Sequence, residues 1–294
     1  MKLLISGATG FVGKHLVKNL REAGHEISII TRPTSKEKSP DGVKNFVFDG
    51  QIESLIKFLK ANEFEGVIHL ASLFLAQHTS GDIQVLINSN VLFSTLLLEA
   101  AVKSNVPWFI NTGTFWQHYQ NAEFSPVNLY AATKQAFEDI AKYYFETSEI
   151  NFVTLKLSDT FGPNDTRPKI FNLWLKISKT QEALEMSPGE QIIDISYIDN
   201  VIDGYMRLVE LLSQDKKKQL KGRSFAIKSA ERTTLKELSI IFEEVTGRKL
   251  NINWGARPYR PREVMLPWEK GETIPGWKPK ISLREGIKRT FNDA

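Results

Sequence analysis

The order of apolar runs along this 294-residue chain predicts an α/β protein, a doubly wound parallel sheet with a smaller C-terminal lobe. Three observations carry that prediction. Strand-like and helix-like patterns alternate through the first half, a glycine-rich turn joins the first strand to the first helix, and the pattern changes beyond Gly162. Strands separated by helices argue for a parallel sheet covered on both faces, with right-handed crossovers.

The opening run Met1-Lys2-Leu3-Leu4-Ile5 ends at Gly7, too short for an export segment, and reads as a buried strand at 2–6. A helix at 11–23 turns Leu16, Val17 and Leu20 inward. Strands follow at 26–31 and 44–48, then a short helix at 51–60 and the strand Gly66-Val67-Ile68-His69-Leu70. A long helix at 84–103, a strand at 107–112, a helix at 128–147 and a strand at 151–157 complete the first half. Beyond Gly162, helices at 170–180, 199–213 and 234–246 alternate with short strands near 223–228 and 250–254. A segment rich in Pro, Arg and Trp at 257–281 precedes a last helix at 282–292.

Composition narrows the function classes. Hydrophobic residues make up 41% and charged residues 24%, as in ordinary globular proteins. The net charge of +4 is small and dispersed, which argues against nucleic-acid and membrane partners. No window approaches the roughly 18 unbroken apolar residues of a membrane span. The absence of cysteine excludes disulfides, thiolate metal sites and cysteine catalysis, and suits the cytoplasm. No metal site is expected: His69 has no second ligand at suitable spacing and reads as a packed residue.

Gly7, Gly10 and Gly13 are spaced G-x-x-G-x-x-G between the first strand and helix, within the turn that also holds Thr9, Phe11 and Val12. The first glycine permits a tight turn, the second lets the backbone approach a pyrophosphate, and the third allows close helix packing. The helix N-terminus then favours the phosphates. This makes the first half a Rossmann-type dinucleotide-binding unit, 1–161. Residues 162–294 form mainly a substrate-binding lobe, with chain crossings back to the sheet. The second strand ends Ile29-Ile30-Thr31-Arg32-Pro33, where an NAD enzyme usually presents an acid to the adenosine ribose. Arg32, with Lys36 in support, suits a 2′-phosphate instead, so the expected cofactor is NADPH/NADP+.

Tyr130 and Lys134 lie four residues apart on a predicted helix and share a face. Such a pair can serve as acid and base beside a nicotinamide. Bringing the phenol near neutrality needs roughly three pKa units, about 4 kcal/mol, which a neighbouring ammonium and a cationic nicotinamide are expected to supply. The strand ending at Thr112 delivers a hydroxyl nearby. Thr114 lies two residues on and faces the same way on an extended segment, so which threonine acts stays open.

The chain resembles the extended short-chain dehydrogenase/reductase family, the nucleotide-sugar epimerases, dehydratases and reductases. The resemblance runs nearly end to end, through Gly7–Gly13, Val67-Ile68-His69-Leu70-Ala71-Ser72, Tyr130-x-x-x-Lys134, Phe161-Gly162-Pro163, Tyr197-Ile198-Asp199-Asn200-Val201 and Gly276-Trp277-Lys278-Pro279. It implies that Asp49 and Gly50 meet the adenine and that Leu70, Ala71 and Ser72 line the ribose and nicotinamide. It also implies that Asn90 is a buried positioning residue at the cofactor, that Lys134 bonds the nicotinamide ribose and that Thr112 is the catalytic hydroxyl. The runs Thr112–Tyr119, Pro126–Tyr130 and Lys156–Pro163 are similar to bacterial reductases of nucleotide-linked 4-keto-6-deoxyhexoses, the group that includes the dTDP-D-fucose and CDP-abequose enzymes of surface polysaccharides. The substrate side implied is Thr114, Phe115, Asp159, Arg167, Lys169 and Arg260, with Arg262 compensating for Ile193, where relatives carry arginine; Trp116 and His118 are further candidates. A homodimer through a four-helix seam of 84–103 and 128–147 is implied as well.

Departures from the family pattern narrow the chemistry. Related 4,6-dehydratases place Asp-Glu directly after the catalytic threonine, and here Gly113 and Thr114 stand there. Related 3,5-epimerising reductases use a cysteine at Thr114 and a histidine near Arg167-Pro168, and both are missing. What remains is hydride transfer at C4 of dTDP-4-dehydro-6-deoxy-D-glucose or CDP-4-dehydro-3,6-dideoxy-D-glucose. The alternatives are a 4-epimerase that retains its cofactor and a non-catalytic NADP(H)-binding regulator.

Overall fold

The computed structural model describes residues 1–35, 39–40 and 42–291. The first half runs β1 (Lys2–Ser6), α1 (Phe11–Glu22), β2 (Glu26–Thr31), β3 (Lys44–Val47), α2 (Ile52–Asn62), β4 (Gly66–His69), α3 (Ile83–Ile87), α4 (Phe93–Lys103), β5 (Trp108–Thr114), α5 (Leu129–Thr147) and β6 (Asn151–Leu157). The second runs β7 (Asp159–Phe161), α6 (Ile170–Thr180), β8 (Leu184–Met186), β9 (Ile192–Ile193), β10 (Ile195–Tyr197), α7 (Ile198–Gln214), β11 (Ser224–Ile227), β12 (Thr233–Thr234), α8 (Leu235–Thr246), β13 (Ile252–Trp254) and α9 (Leu283–Phe291).

Seven parallel strands form one sheet in the order β3-β2-β1-β4-β5-β6-β11. The chain reverses its direction of travel between β1 and β4, which opens a crevice at the carboxyl ends of the strands. Alternation within strands supplies both faces. Leu3, Ile5, Ile27 and Ile29 join Leu16, Val17 and Leu20 of α1 and the inner face of α7. Leu4, Val67, Phe109 and Phe152 join Leu55 and Leu59 of α2, Leu97 and Leu98 of α4, and Phe137 of α5.

The first of these cores continues without a seam into the second half. Phe171, Trp174, Phe242 and Phe291 from α6, α8 and α9 meet there, with ring centroids 5.4–5.8 Å apart. The chain also returns to the sheet, where β11 pairs with β6. The strands β7, β8, β9, β10 and β12, two or three residues each, were not visible in the sequence, because such lengths carry no periodicity.

The helix expected at 84–103 is interrupted. Between α3 and α4 the backbone widens to a π-type turn over Asn88–Leu92, which carries Asn90 at its centre. By length and composition alone, Ser80–Lys103 is apolar enough to cross a membrane, a property that counting unbroken apolar runs passes over. In this fold the stretch buries Leu86, Leu97 and Leu98 and packs on α2 and α5.

Phe242→Ala removes a fully buried ring from the shared core. It is expected to cost about 3–5 kcal/mol in urea denaturation. A loss below about 1 kcal/mol would show that the lobe does not share the sheet's core.

Candidate active site

The glycine turn is built by close approach. Gly7 has φ of 74°, and a Cβ on it would lie 2.5 Å from the Ala71 nitrogen; one on Gly13 would lie 2.2 Å from the Gly7 carbonyl oxygen. Gly10 differs. Its Cβ would meet only that oxygen, at 3.3 Å, so its outer side is open. Gly10 caps α1 without a side-chain acceptor, and no acid stands in the first turn. The first N–H groups of α1, with Phe11 and Val12, are thus free to take an anion. An open glycine before an uncapped helix fits dinucleotide phosphates.

At the adenosine end, Thr31 Oγ1 donates to Asn45 Oδ1 at 3.0 Å. The exposed Arg32 makes no ion pair among the described residues. Lys36 lies outside them. Asp49 accepts from the Gln51 N–H (2.9 Å) and the Ser54 hydroxyl (2.7 Å), which hold its carboxyl below the usual range. Gly50 beside it takes φ of 90°.

A chain of buried hydrogen bonds fixes the loop after β4. Ser94 donates to the Asn90 carbonyl, so its oxygen is left to accept from His69 Nε2–H (2.8 Å). His69 Nδ1 then accepts from Ser6 (2.6 Å), whose oxygen takes the Ala71 N–H at 3.4 Å. Burial holds this imidazole neutral. Asn90 grips Leu73 at both its N–H (2.7 Å) and carbonyl (3.0 Å), and also Thr133 and Ser72. Asn90 is fully buried, with both amide atoms engaged within the protein. It acts by holding the loop.

Thr112, Tyr130 and Lys134 converge on one cavity of about 650 Å³ at the carboxyl ends of the strands, with Val12, Leu70 and Ser72 on the cofactor side. Another cavity, of about 450 Å³, opens at the opposite end near Met1, Trp108 and Asn151 and holds none of these groups. Lys134 is 1% exposed, and no hydrogen bond from its ammonium is seen among the described residues. An orphaned ammonium at the cavity wall fits a hydroxyl-bearing ligand such as a ribose. Burial lowers Lys134 to about 8, opposed by Glu138 four residues on.

Tyr130 is buried beside Ser72 and Asp159. Burial and the Asp159 charge push its phenol up to about 12, and the Ser72 hydroxyl opposes them only in part. The protein alone therefore keeps Tyr130 protonated.

The two threonines are used differently. Thr112 Oγ1 lies 2.7 Å from the Tyr205 hydroxyl of α7. Thr114 caps the turn Phe115–Gln117, accepting from the Trp116 N–H at 3.3 Å. Between them, a Cβ on Gly113 would come within 3.0 Å of Lys156, Glu138 and Gln117.

The expected phosphate-binding cations are already paired. Arg167 bonds Asp165 (2.7 Å) and Thr160, and its guanidinium lies 4.3 Å from the Phe11 ring centroid. Lys169 bonds Asp159 at 2.7 Å, so Asp159 is engaged within the protein. Arg260 bonds Glu263 at 2.9 Å and lies over Trp116. Arg262 is turned to Ser125 and Tyr119 and does not line the cavity. Phe115 lines the cavity but is mostly packed on Trp268, while Trp116 and Phe74 flank the mouth. His118 is buried against Trp268, outside the lining.

Sequence reasoning missed Tyr205, Phe74 and Gln191. Gln191 lines the cavity with a buried Oε1 that has no partner. It also missed Arg232, the ion-pair partner of buried Asp194 (2.8 Å). None of these four stands in a recognisable spacing.

The model of the NAD dependent epimerase/dehydratase family matches residues 3–221. The chain is 27% identical to CDP-abequose synthase of Salmonella typhimurium, covering 97% of this chain and 96% of that protein. It is 28% identical to the CDP-abequose synthase of Yersinia pseudotuberculosis, covering 98% of each. Its fold is similar to that of MoeE5 in complex with UDP-glucuronic acid and NAD, at TM-score 0.82 and 22% identity, covering 99% of this chain and 97% of that one. The fold of UDP-glucose 4-epimerase from Thermotoga maritima is similar at TM-score 0.84 and 21% identity, with the same coverages.

Gly10→Val fills the open side of the turn without strain in φ. It is expected to leave the melting temperature unchanged while weakening dinucleotide binding more than about tenfold, about 1.4 kcal/mol. Gly13→Ala should lower both. Fluorescence titration and thermal melting read the two, and unchanged binding in Gly10→Val would place the phosphates elsewhere.

Proposed function

The chain belongs to the NAD dependent epimerase/dehydratase family, and from that premise we propose that it reduces the C4 ketone of a nucleotide-activated 4-keto-6-deoxyhexose with NADPH. At the coarser level it is a nucleotide-sugar-modifying enzyme that uses a nicotinamide cofactor. The substrate is dTDP-4-dehydro-6-deoxy-D-glucose or CDP-4-dehydro-3,6-dideoxy-D-glucose. Near-full-length similarity to two CDP-abequose synthases favours the CDP sugar. The setting proposed is cytoplasmic synthesis of surface-polysaccharide sugars.

The observation that carries this reading is the packing at Gly113. Lys156, Gln117 and the Lys156-paired Glu138 occupy the space where a side chain on Gly113 would stand, so the position after Thr112 brings no free acid for elimination. The hydroxyl and the phenol remain for work on a carbonyl. Gly7, Gly10, Gly13, Leu70, Ala71, Lys134 and Arg32 would hold NADPH, which supplies a hydride to C4 when bound. The Thr112 hydroxyl polarises the ketone by donating to O4. As C4 accepts the hydride, electron density moves to O4, and Tyr130 gives that oxygen its proton. The Lys134 ammonium then stabilises the phenolate, which regains a proton from solvent. Proton donation of this kind contributes about 10²–10⁴-fold.

The cofactor preference rests on Arg32 and on the lack of an acid at the end of β2. The proposal includes a homodimer through the exposed apolar residues Ile83, Val85, Ile87 and Leu92 with Tyr143 of α5, which sedimentation velocity tests.

The direct assay follows loss of NADPH absorbance with each of the two sugars. We expect turnover with one of them, much slower turnover with NADH, and a fall of about 10²-fold or more in Tyr130→Phe. A C4-epimerised sugar with no net NADPH loss would favour the retained-cofactor epimerase; cofactor binding without any turnover would favour a regulator. The pH dependence is a second expectation. Lys134 is charged below about pH 8 and neutral above it, so reductive kcat/KM should fall on an alkaline limb near that value. A kcat/KM that stays flat through about pH 8 would detach Lys134 from the profile.

A further inference from the structure

Tyr205 stands in the middle of α7 with its side chain fully buried. Among the described residues its hydroxyl has one hydrogen-bond partner, Thr112 Oγ1, at 2.7 Å. That pair holds two protons and shares one hydrogen bond, so one proton is left over. If Thr112 donated, the leftover proton would be that of Tyr205, sealed in the core with no acceptor. Buried donors without acceptors are costly and rare. If Tyr205 donates, the leftover proton belongs to Thr112, which is partly exposed and lines the cavity beside Tyr130. A carbonyl oxygen arriving there would satisfy it.

We infer that Tyr205 is a positioning residue that fixes the Thr112 hydroxyl as a hydrogen-bond donor aimed at the substrate oxygen. The inference rests on the reductase reading for its kinetic consequence, but not for the direction of the hydrogen bond. It also separates the two threonines, since no residue of α7 bonds the hydroxyl of Thr114, which is held instead by its own turn. Burial pushes the Tyr205 phenol above its ordinary pKa, so its proton stays in place across the working range.

Tyr205→Phe removes one oxygen and leaves the ring. We expect kcat to fall about three- to tenfold, with KM for the sugar and the affinity for NADPH changed less than about twofold. Thr112→Val should cost about 10²–10³-fold. In the Thr112→Val background, Tyr205→Phe should have no further effect, because the phenol acts only through that hydroxyl. Equal losses in both backgrounds, or no loss in the wild-type background, would overturn the inference. Neutron diffraction from deuterated protein decides the same point without turnover. A deuteron bonded to Tyr205 Oη and directed at Thr112 is expected, and one bonded to Thr112 and directed at Tyr205 would overturn it. A wild-type enzyme inert towards both sugars would sink the reductase reading while leaving the neutron result to decide the bond.

Discussion

Lys156 on β6 and Glu138 on α5 form an ion pair 3.1 Å across, with side chains 5% and 12% exposed, and the site geometry depends on it. The Lys156 ammonium also meets His118 Nε2 at 2.8 Å. Burial and that ammonium bring His118 down to about 4, so the neutral ring accepts through Nε2 while Nδ1–H donates to the Ala122 carbonyl. Glu138 accepts from the Gln117 amide at 2.9 Å, and the other end of Gln117 accepts the Thr114 N–H. One buried pair thus ties the end of β5, which carries Thr112, to α5, which carries Tyr130 and Lys134. Removing either partner would strand a buried charge at a cost of about 3–5 kcal/mol. The same side chains fill the space above Gly113.

The remaining charge is distributed in a consistent way. Lys169, Arg260 and Arg167 face the cavity with carboxylate partners already in place, so the net positive potential they offer is small. Among the described residues, positive groups without such partners lie along the cofactor path at the start of α1 and at Arg32. A dinucleotide would therefore meet uncompensated charge, whereas a sugar diphosphate would compete with Asp159 and Glu263. The loop after β4, held by Ser6, His69, Ser94 and Asn90, gives the path between these groups a fixed wall.

Local signals carried much of this to the sequence. Strands buried on both faces and helices with an apolar stripe have the right period, so β1 to β6 and α1, α2 and α5 to α9 could be read within a few residues. Gly7, Gly10, Gly13, Tyr130 and Lys134 were legible because their spacing is itself the mechanism. Tyr205 was not, since only the folding of α7 against α1 and β5 brings it to Thr112, 93 residues away. Arg232 reaches Asp194 across 38 residues for the same reason. The raised pKa of Tyr130 was also out of reach, because burial and the Asp159 charge are properties of the assembled cavity.

The central claim is that the site moves a hydride to C4 and does no carbanion or elimination chemistry. It is tested most directly by following isotope into the product made with C4-deuterated NADPH in water, and with unlabelled NADPH in heavy water, using NMR. The account predicts one deuterium at C4 from the cofactor and no solvent deuterium at C3 or C5. Solvent deuterium fixed at C3 or C5, or no cofactor deuterium at C4 with either stereoisomer of the labelled cofactor, would contradict it.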